Sequence, residues 1–388
     1  MTAAMDPGWI VDARERVTGR LPFTSGLILP GMLHAALVRS TVARGRIQAI
    51  DVSRAQAVPG VAAVLTGADL ASWHGIDPWY GPVFRDQPAL AIDTVRYVGE
   101  PVAAIAATDP DAAREAAAAV LVDIGQLPAV FDAPAALEPD APLVHEATRR
   151  AGTYSRIDGP PGSNVCHHFK IRKGNLDSAL QSAAHVFEDS FHTPAIQHAP
   201  LETHVCVARP EGRRLTVWSS TQTPFGVRLQ LAEMLGRSQS SIRVLVPPIG
   251  GAYGSKGHAK IEPITVLLAL AAGRPVKLHL ERAEEFITIT KHEATVTLTT
   301  ALDAEGRIRG RSARCLFNTG AYADIGPRVV HYGGMGATGP YHVDNVVVDS
   351  LAVYTNTPPA GAFRGFGFPQ LAWAHESQMD MIAARLGI

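Results

Sequence analysis

Glycine and proline break this chain into short pieces. There are 35 glycines and 28 prolines in 388 residues, spread along the sequence and not gathered in low-complexity tracts. Both residues punctuate regular elements. A chain interrupted this often favours many short strands and helices joined by long loops, the pattern of a mixed α and β protein. Its length exceeds one ordinary core and suggests two or three domains.

Composition narrows the function classes. The formal net charge is −1. A phosphate-binding surface usually needs clustered Lys and Arg, so nucleic acid is not an expected partner. The longest apolar run, 264–272, is far short of the ~18 residues a membrane span needs. Residues 1–10 show no basic segment followed by an apolar stretch, so no secretory signal is expected. Cys166, Cys206 and Cys315 lie far apart and form no CxxC. Their spacing suggests no iron–sulfur or zinc site, and they read as buried thiols in a reducing cytoplasm. Any redox clusters then belong to another chain.

Residues 12–124 read as a compact α+β module. Strands are expected at 32–39, 46–52, 61–65 and 98–108, with a short helix at 53–58. Asp109 and Pro110 start a second helix that runs to 120. Residues 125–162 are rich in Pro and Ala and read as a connector over the surface. Beyond it, strands are expected at 167–173, 185–193, 214–219, 241–246, 275–280 and 346–354. Helices are expected at 176–184, 223–236, 261–272 and 370–386. A hairpin turns over 303–306.

Three loops are dense in residues that carry chemistry. Gln222 lies in the first, 218–224, just ahead of a helix. Its amide either donates to an oxygen ligand or merely ties the loop. The second, 247–256, holds Gly250, Gly251, Ala252, Tyr253 and Gly254 ahead of Lys256. Glycines let backbone N–H groups approach an anion, but the spacing fails the phosphate-loop pattern, and a turn without ligand stays open. The third, 358–367, places Phe363 and Arg364 among glycines. Arg364 either stabilises negative charge on a substrate or stacks on Phe or pairs with a carboxylate. Gly334, Gly336 and Gly339 match GxGxxG, but no helix follows and no strand–helix–strand unit is expected around them, so a dinucleotide site is set aside. His198, Glu202 and His204 surround Pro200, which breaks helical ligand spacing. They read as hydrogen-bonding residues before metal ligands.

In this order, the loops resemble the molybdopterin-binding large subunit of the xanthine dehydrogenase and aldehyde oxidase family. VTGR at 17–20, PGML at 30–33, VPGV at 58–61 and VGEPVA at 98–103 are similar to its α/β hammerhead domain. GGAYGSK at 250–256, AFRGFG at 362–367 and the loop at Gln222 are similar to its first molybdopterin-binding domain. The resemblance implies an α+β fold: a hammerhead domain at 10–125, a connector at 126–162 and the molybdopterin domain at 163–388. It implies a molybdenum–molybdopterin cofactor, expected in the cytosine dinucleotide form. The pterin holds the metal, with no protein side chain as ligand. Gln222 is then expected at the apical oxo ligand. Gly250, Gly251, Ala252, Tyr253, Gly254 and Phe363 are expected at the cofactor, and Arg364 over the substrate.

The implied reaction is hydroxylation of an electron-poor carbon with water-derived oxygen, assisted by a glutamate base. No GVGE-like motif occurs in the chain. The resemblance therefore implies a second molybdopterin-domain subunit supplying that Glu, with [2Fe–2S] and FAD subunits carrying electrons away. Gly257 stands where purine-oxidising members place a Glu, which points from xanthine towards an N-heteroaromatic substrate, as in nicotinate dehydrogenase. Aldehyde oxidation by the same site, or a non-catalytic scaffold, stays open.

Overall fold

The computed structural model describes residues 12–146, 160 and 162–388. The expectation of no secretory signal falls on 1–10, and part of the expected connector on 147–159 and 161. Both lie outside the described residues.

Among the described residues the largest sheet has seven strands. Their order is Ile242–Leu245, Arg214–Ser219, Val205–Glu211, Val276–His279, Leu33–Arg39, Pro101–Ala107 and Val61–Thr66. Leu33–Arg39 runs parallel to Val276–His279, with Leu33 opposite Val276. The compact module expected at 12–124 is therefore not closed. Its strands continue into a sheet built by residues far along the chain. An edge strand carries unpaired amides that seek another strand, and its side-chain alternation does not say which one answers.

One core spans this shared sheet and includes Leu33, Leu65, Ala104, Val217, Leu231, Val266 and Leu278. Helix Glu262–Ala272 packs here, with every residue from Glu262 to Ala269 buried. A helix apolar on nearly all sides must be enclosed. Gly273, at φ +62°, ends it in the left-handed conformation that suits a residue without Cβ. Helix Pro110–Ala119 starts as expected, with Asp109 accepting from the amides of Asp111 and Ala112.

The second sheet orders His185–Thr193, Glu293–Leu302, Ile308–Gly320, Asn345–Tyr354 and Val165–Lys173. Its central hairpin turns at the expected place, with Gly306 at φ +79°. Helices Gly326–Met335 and Phe368–Leu386 pack on it over a second core that includes Phe317, Val329, Val348 and Leu371.

The structure corrects three further readings. A strand–helix–strand unit does surround the GxGxxG match, because Ile308–Gly320 and Asn345–Tyr354 pair in parallel on either side of helix Gly326–Met335. The glycines sit at the helix C-terminal end, however, so no helix N-terminus faces a phosphate. Their role is close packing: a Cβ on Gly334 would meet Phe169 Cδ1 at 2.5 Å, and one on Gly336 would meet Phe368 Cδ1 at 2.6 Å; in the preceding position, one on Gly333 would meet Phe317 Cζ at 2.8 Å. The described part of the connector is docked, not draped. Val130, Ala136 and Val144 are buried in the second core, and the amides of Val130 and Val144 donate to Asn356 and Asn164. Strand Val205–Glu211 was not expected. Pro210 breaks its pattern, as proline does in most strands.

Candidate functional site

Each of the three loops leaves an element at a point its sequence dictates. The first follows strand Arg214–Ser219 and ends where Pro224 opens helix Pro224–Met234. The second follows strand Ile242–Leu245, stopped by Pro247 and Pro248. The third contains the short strand Ala360–Gly361, which pairs with Thr290–Lys291, and ends at helix Phe368–Leu386. The turns of the last two need left-handed residues. Gly251, Tyr253 and Gly254 lie at φ +98°, +54° and +111°, and Gly365, Phe366 and Gly367 at +97°, +53° and +92°.

Hydrogen bonds draw the loops together. Gly254 N–H donates to Gln222 Oε1 at 3.1 Å, and Gln222 N–H to Lys256 O at 2.8 Å. Thr221 Oγ1 donates to Lys256 O, and Thr223 Oγ1 to Gly257 O. Arg364 N–H donates to Tyr253 O at 2.9 Å. Gly254 has no alternative: a Cβ there would lie 2.4 Å from Ala362 O. All the residues expected around the cofactor are thereby brought into one neighbourhood.

The exposed face of this neighbourhood carries donors. The amides of Gly251, Ala252 and Tyr253 donate to no acceptor among the described residues. Gln222 is exposed; its Oε1 is tied and its Nε2 is left to donate. The Arg364 side chain is exposed and makes no ion pair, hydrogen bond or ring contact among the described residues. Among the described residues, then, Arg364 is neither paired nor stacked. Gln222 does tie its loop, with its oxygen, while its nitrogen keeps the other reading open.

Beneath the face lies segment 197–204, which the sequence reading singled out without assigning partners. Three of its polar side chains, His198, Glu202 and His204, each reach a loop or its support. Glu202 Oε2 accepts from Gly250 N–H at 2.9 Å and from Lys256 Nζ at 3.0 Å, while Lys256 Nζ also donates to Glu202 O. The Lys256 side chain is fully buried. Burial lowers its pKa, and Glu202 opposes the shift. His204 Nδ1 lies 2.7 Å from Glu285 Oε1, and Nε2 lies 3.3 Å from Ser255 O. His198 Nε2 lies 2.7 Å from Ala362 O, and its ring centroid is 4.8 Å from that of Phe363.

Further down, Lys260 Nζ pairs with Asp324 Oδ2 at 2.6 Å. Burial pushes the Asp324 carboxyl up, but Lys260 and His258 outweigh it and hold it below its ordinary value. Burial pushes His198, His258 and His292 down to about 4. They are neutral at pH 7. The strand and helix readings missed these residues as loop supports. The available signal was Lys256 itself, since a lysine inside a Gly-rich turn must find a carboxylate if buried.

A face made of amide, carboxamide and guanidinium donors fits an anionic, oxygen-rich group. A cleft of about 840 Å³ exists elsewhere, lined by His34, Lys277, His279 and neighbours, and it includes none of the loop residues. Among the described residues no group of three or more His, Cys, Asp or Glu is placed to hold a metal ion. No helix among them is long and apolar enough to cross a membrane.

Comparison with known proteins puts a class on this arrangement. The pattern described as "Molybdopterin cofactor-binding domain" matches residues 159–388. That of "Aldehyde oxidase and xanthine dehydrogenase, a/b hammerhead domain" matches 18–128. The chain belongs to the molybdopterin-binding subunits of this family of molybdenum-dependent oxidoreductases, with the hammerhead followed by the molybdopterin domain. Over 97% of its length it is 34% identical to the nicotinate dehydrogenase large molybdopterin subunit of Eubacterium barkeri, of which it covers 85%. It is also 33% identical, over 97% of its length, to the xanthine dehydrogenase molybdenum-binding subunit of Escherichia coli O157:H7, of which it covers 50%. Among solved structures, quinoline 2-oxidoreductase from Pseudomonas putida 86 superposes with a TM-score of 0.86 at 33% identity, over 97% of this chain and 47% of that one. The chain thus spans about half the length of two of these relatives.

Proposed function

We propose that this chain is the molybdopterin-binding subunit of a heteromeric, cytoplasmic molybdenum hydroxylase acting on an N-heteroaromatic substrate. The observation that carries the reading is the convergence of three distant loops into one donor-lined face, fixed by Gly254 N–H to Gln222 Oε1 and Arg364 N–H to Tyr253 O. Similarity to a nicotinate dehydrogenase subunit and to a quinoline oxidoreductase supports the substrate class.

When bound, the molybdenum–molybdopterin group, in its cytosine dinucleotide form, supplies a two-electron sink for a C–H bond. The chain's own residues do the rest of what can be assigned to it. The amides of Gly250 to Gly254 split between structure and ligand: Gly250 and Gly254 tie the loop, and Gly251, Ala252 and Tyr253 donate outward. Gln222 Nε2 would help hold the cofactor by donating to one of its oxygens. Phe363 flanks the cofactor side of the third loop. Arg364 offers a planar, permanently charged donor to negative charge developing on the substrate.

The exposed Leu201, Tyr253 and Phe368 border the face, and a second molybdopterin-domain subunit is assigned to cover it and supply the base, a glutamate. Iron–sulfur and FAD subunits complete the route for electrons. Residues 10–125, 126–162 and 163–388 are retained as the functional division of the chain.

The test is metal and pterin analysis of the purified complex, followed by a substrate panel with a dye acceptor. N-heteroaromatic substrates are expected to turn over faster than aldehydes, in a complex containing molybdenum and pterin. Full activity without molybdenum would end the proposal, and a preference for aldehydes would overturn the substrate class.

A further inference from the structure

The third loop is held by a buried residue, His198, that is not among the residues expected at the cofactor or the substrate. His198 is 7% exposed. Its Nε2 lies 2.7 Å from Ala362 O. A carbonyl only accepts, so Nε2 carries the proton. The ring also packs against Phe363, the residue before Arg364, with centroids 4.8 Å apart and planes at 41°. From the other side, Ala362 O presses on Gly254 so closely that no Cβ would fit between them. The carbonyl is therefore wedged between the His198 donor and the second loop. Two residues further on, Arg364 N–H closes the contact to Tyr253 O.

The platform under His198 is itself fixed. Arg282 donates to the carbonyls of Pro200 and Leu201 at 2.6 and 2.9 Å. Gln197 Nε2 donates to Glu285 O at 3.2 Å. Ala199 adopts φ +46°, an uncommon conformation for a residue with Cβ, and follows His198 directly. Segment 197–204 thus grips the second loop through Glu202 and the third through His198, and sets the spacing between them.

We propose that His198 is a positioning residue: its hydrogen bond to Ala362 O and its contact with Phe363 set where Arg364 stands relative to the Gly251–Tyr253 amides. This rests on the reading of Arg364 as the substrate-facing donor. A side chain that fixes geometry without touching the reacting atoms acts only through the group it places, and misplacement of about 1 Å can cost roughly 100-fold in rate.

The experiment is a double-mutant cycle in the assembled holoenzyme: wild type, His198→Ala, Arg364→Ala and the double variant. It reads kcat and KM together with hydrogen exchange at the Arg364 amide. His198→Ala is expected to lower kcat/KM about 10- to 100-fold at unchanged molybdenum and pterin content. It should add nothing in the Arg364→Ala background. It should also strip protection from the Arg364 amide, and His198→Gln, which keeps a donor, should restore both readouts. Independent, multiplicative losses, or full protection at Arg364 in His198→Ala, overturn the inference. Should Arg364→Ala keep wild-type turnover, the reading of Arg364 fails, while hydrogen exchange still decides whether His198 holds the loop. If His198→Ala does not assemble, His198→Phe keeps the ring, removes the donor and carries the same cycle.

Discussion

The exposed face and the buried platform beneath it use similar polar groups to opposite ends. On the face, the Arg364 side chain, Gln222 Nε2 and the amides of Gly251, Ala252 and Tyr253 have no hydrogen-bond acceptor among the described residues. In the platform, Lys256, His204 and Glu285 are buried and Glu202 half-buried, and all four are joined to one another or to backbone. Removing a donor from the face should injure function and leave the fold alone. Removing one from the platform should injure the fold first. The sharpest way to break the comparison is the pair Glu202→Ala and Arg364→Ala. The first leaves a fully buried Lys256 ammonium without its carboxylate, with only the residue-202 carbonyl to accept from it, and the Gly250 amide without its acceptor, and breaking such a buried pair destabilises by about 3–5 kcal/mol. The second removes an exposed side chain and should stay within about 0.5 kcal/mol of wild type, yet losing a donor at developing charge lowers kcat by about 100-fold or more. Denaturant unfolding and steady-state turnover on both variants give the answer. Equal stability losses would erase the distinction between face and platform.

Acid sharpens the same contrast, because the platform holds histidines that burial keeps neutral. His198, His258 and His292 have an ordinary value of 6.5 and are pushed down to about 4. Between those values the unfolded chain binds protons that the folded chain refuses. The stability these histidines contribute therefore rises with pH through this window, falls as pH drops from 6.5 towards 4, and stops changing below 4, where they are protonated in both states. Each such group adds a slope of up to about 1.4 kcal/mol per pH unit. Thermal unfolding from pH 7 to 4 should show this fall. His292→Gln is expected to flatten it, and an unchanged profile would remove His292 from the account.

The sequence carried the loops more clearly than their supports, for a physical reason. Gly250 to Gly254 and Phe363 to Gly367 announce themselves locally, because left-handed turns and close approaches demand glycine where they occur. Helix Glu262–Ala272 is legible in the same way, from a mostly apolar run ended by Gly273. The partners of segment 197–204 lie 48 residues away for Glu202 with Gly250 and 164 away for His198 with Ala362. No local pattern encodes such distances. The joining of strand Leu33–Arg39 to Val276–His279 was hidden likewise, since a strand's alternation fixes its faces but not its neighbour. Helix Gly326–Met335 was masked by Gly333 and Gly334, which lower helix propensity but permit contact with Phe317 and Phe169.

Gln222 stands on the border between the two regions, and it should show the smallest effect. Its Oε1 belongs to the platform's logic, since it accepts the Gly254 amide at 3.1 Å. Its Nε2 belongs to the face. Gln222→Ala removes one exposed hydrogen bond, which contributes about 0.5–1.5 kcal/mol at most to stability. Gln222→Glu keeps an acceptor for Gly254 but replaces the outward donor with negative charge. If the nitrogen serves a cofactor oxygen, Gln222→Glu should unfold like wild type yet retain less molybdenum after gel filtration than Gln222→Ala, because a carboxylate facing an anionic group repels it. The reverse order of metal retention would mean that Gln222 acts only through Gly254, and the residue would then move wholly to the platform side.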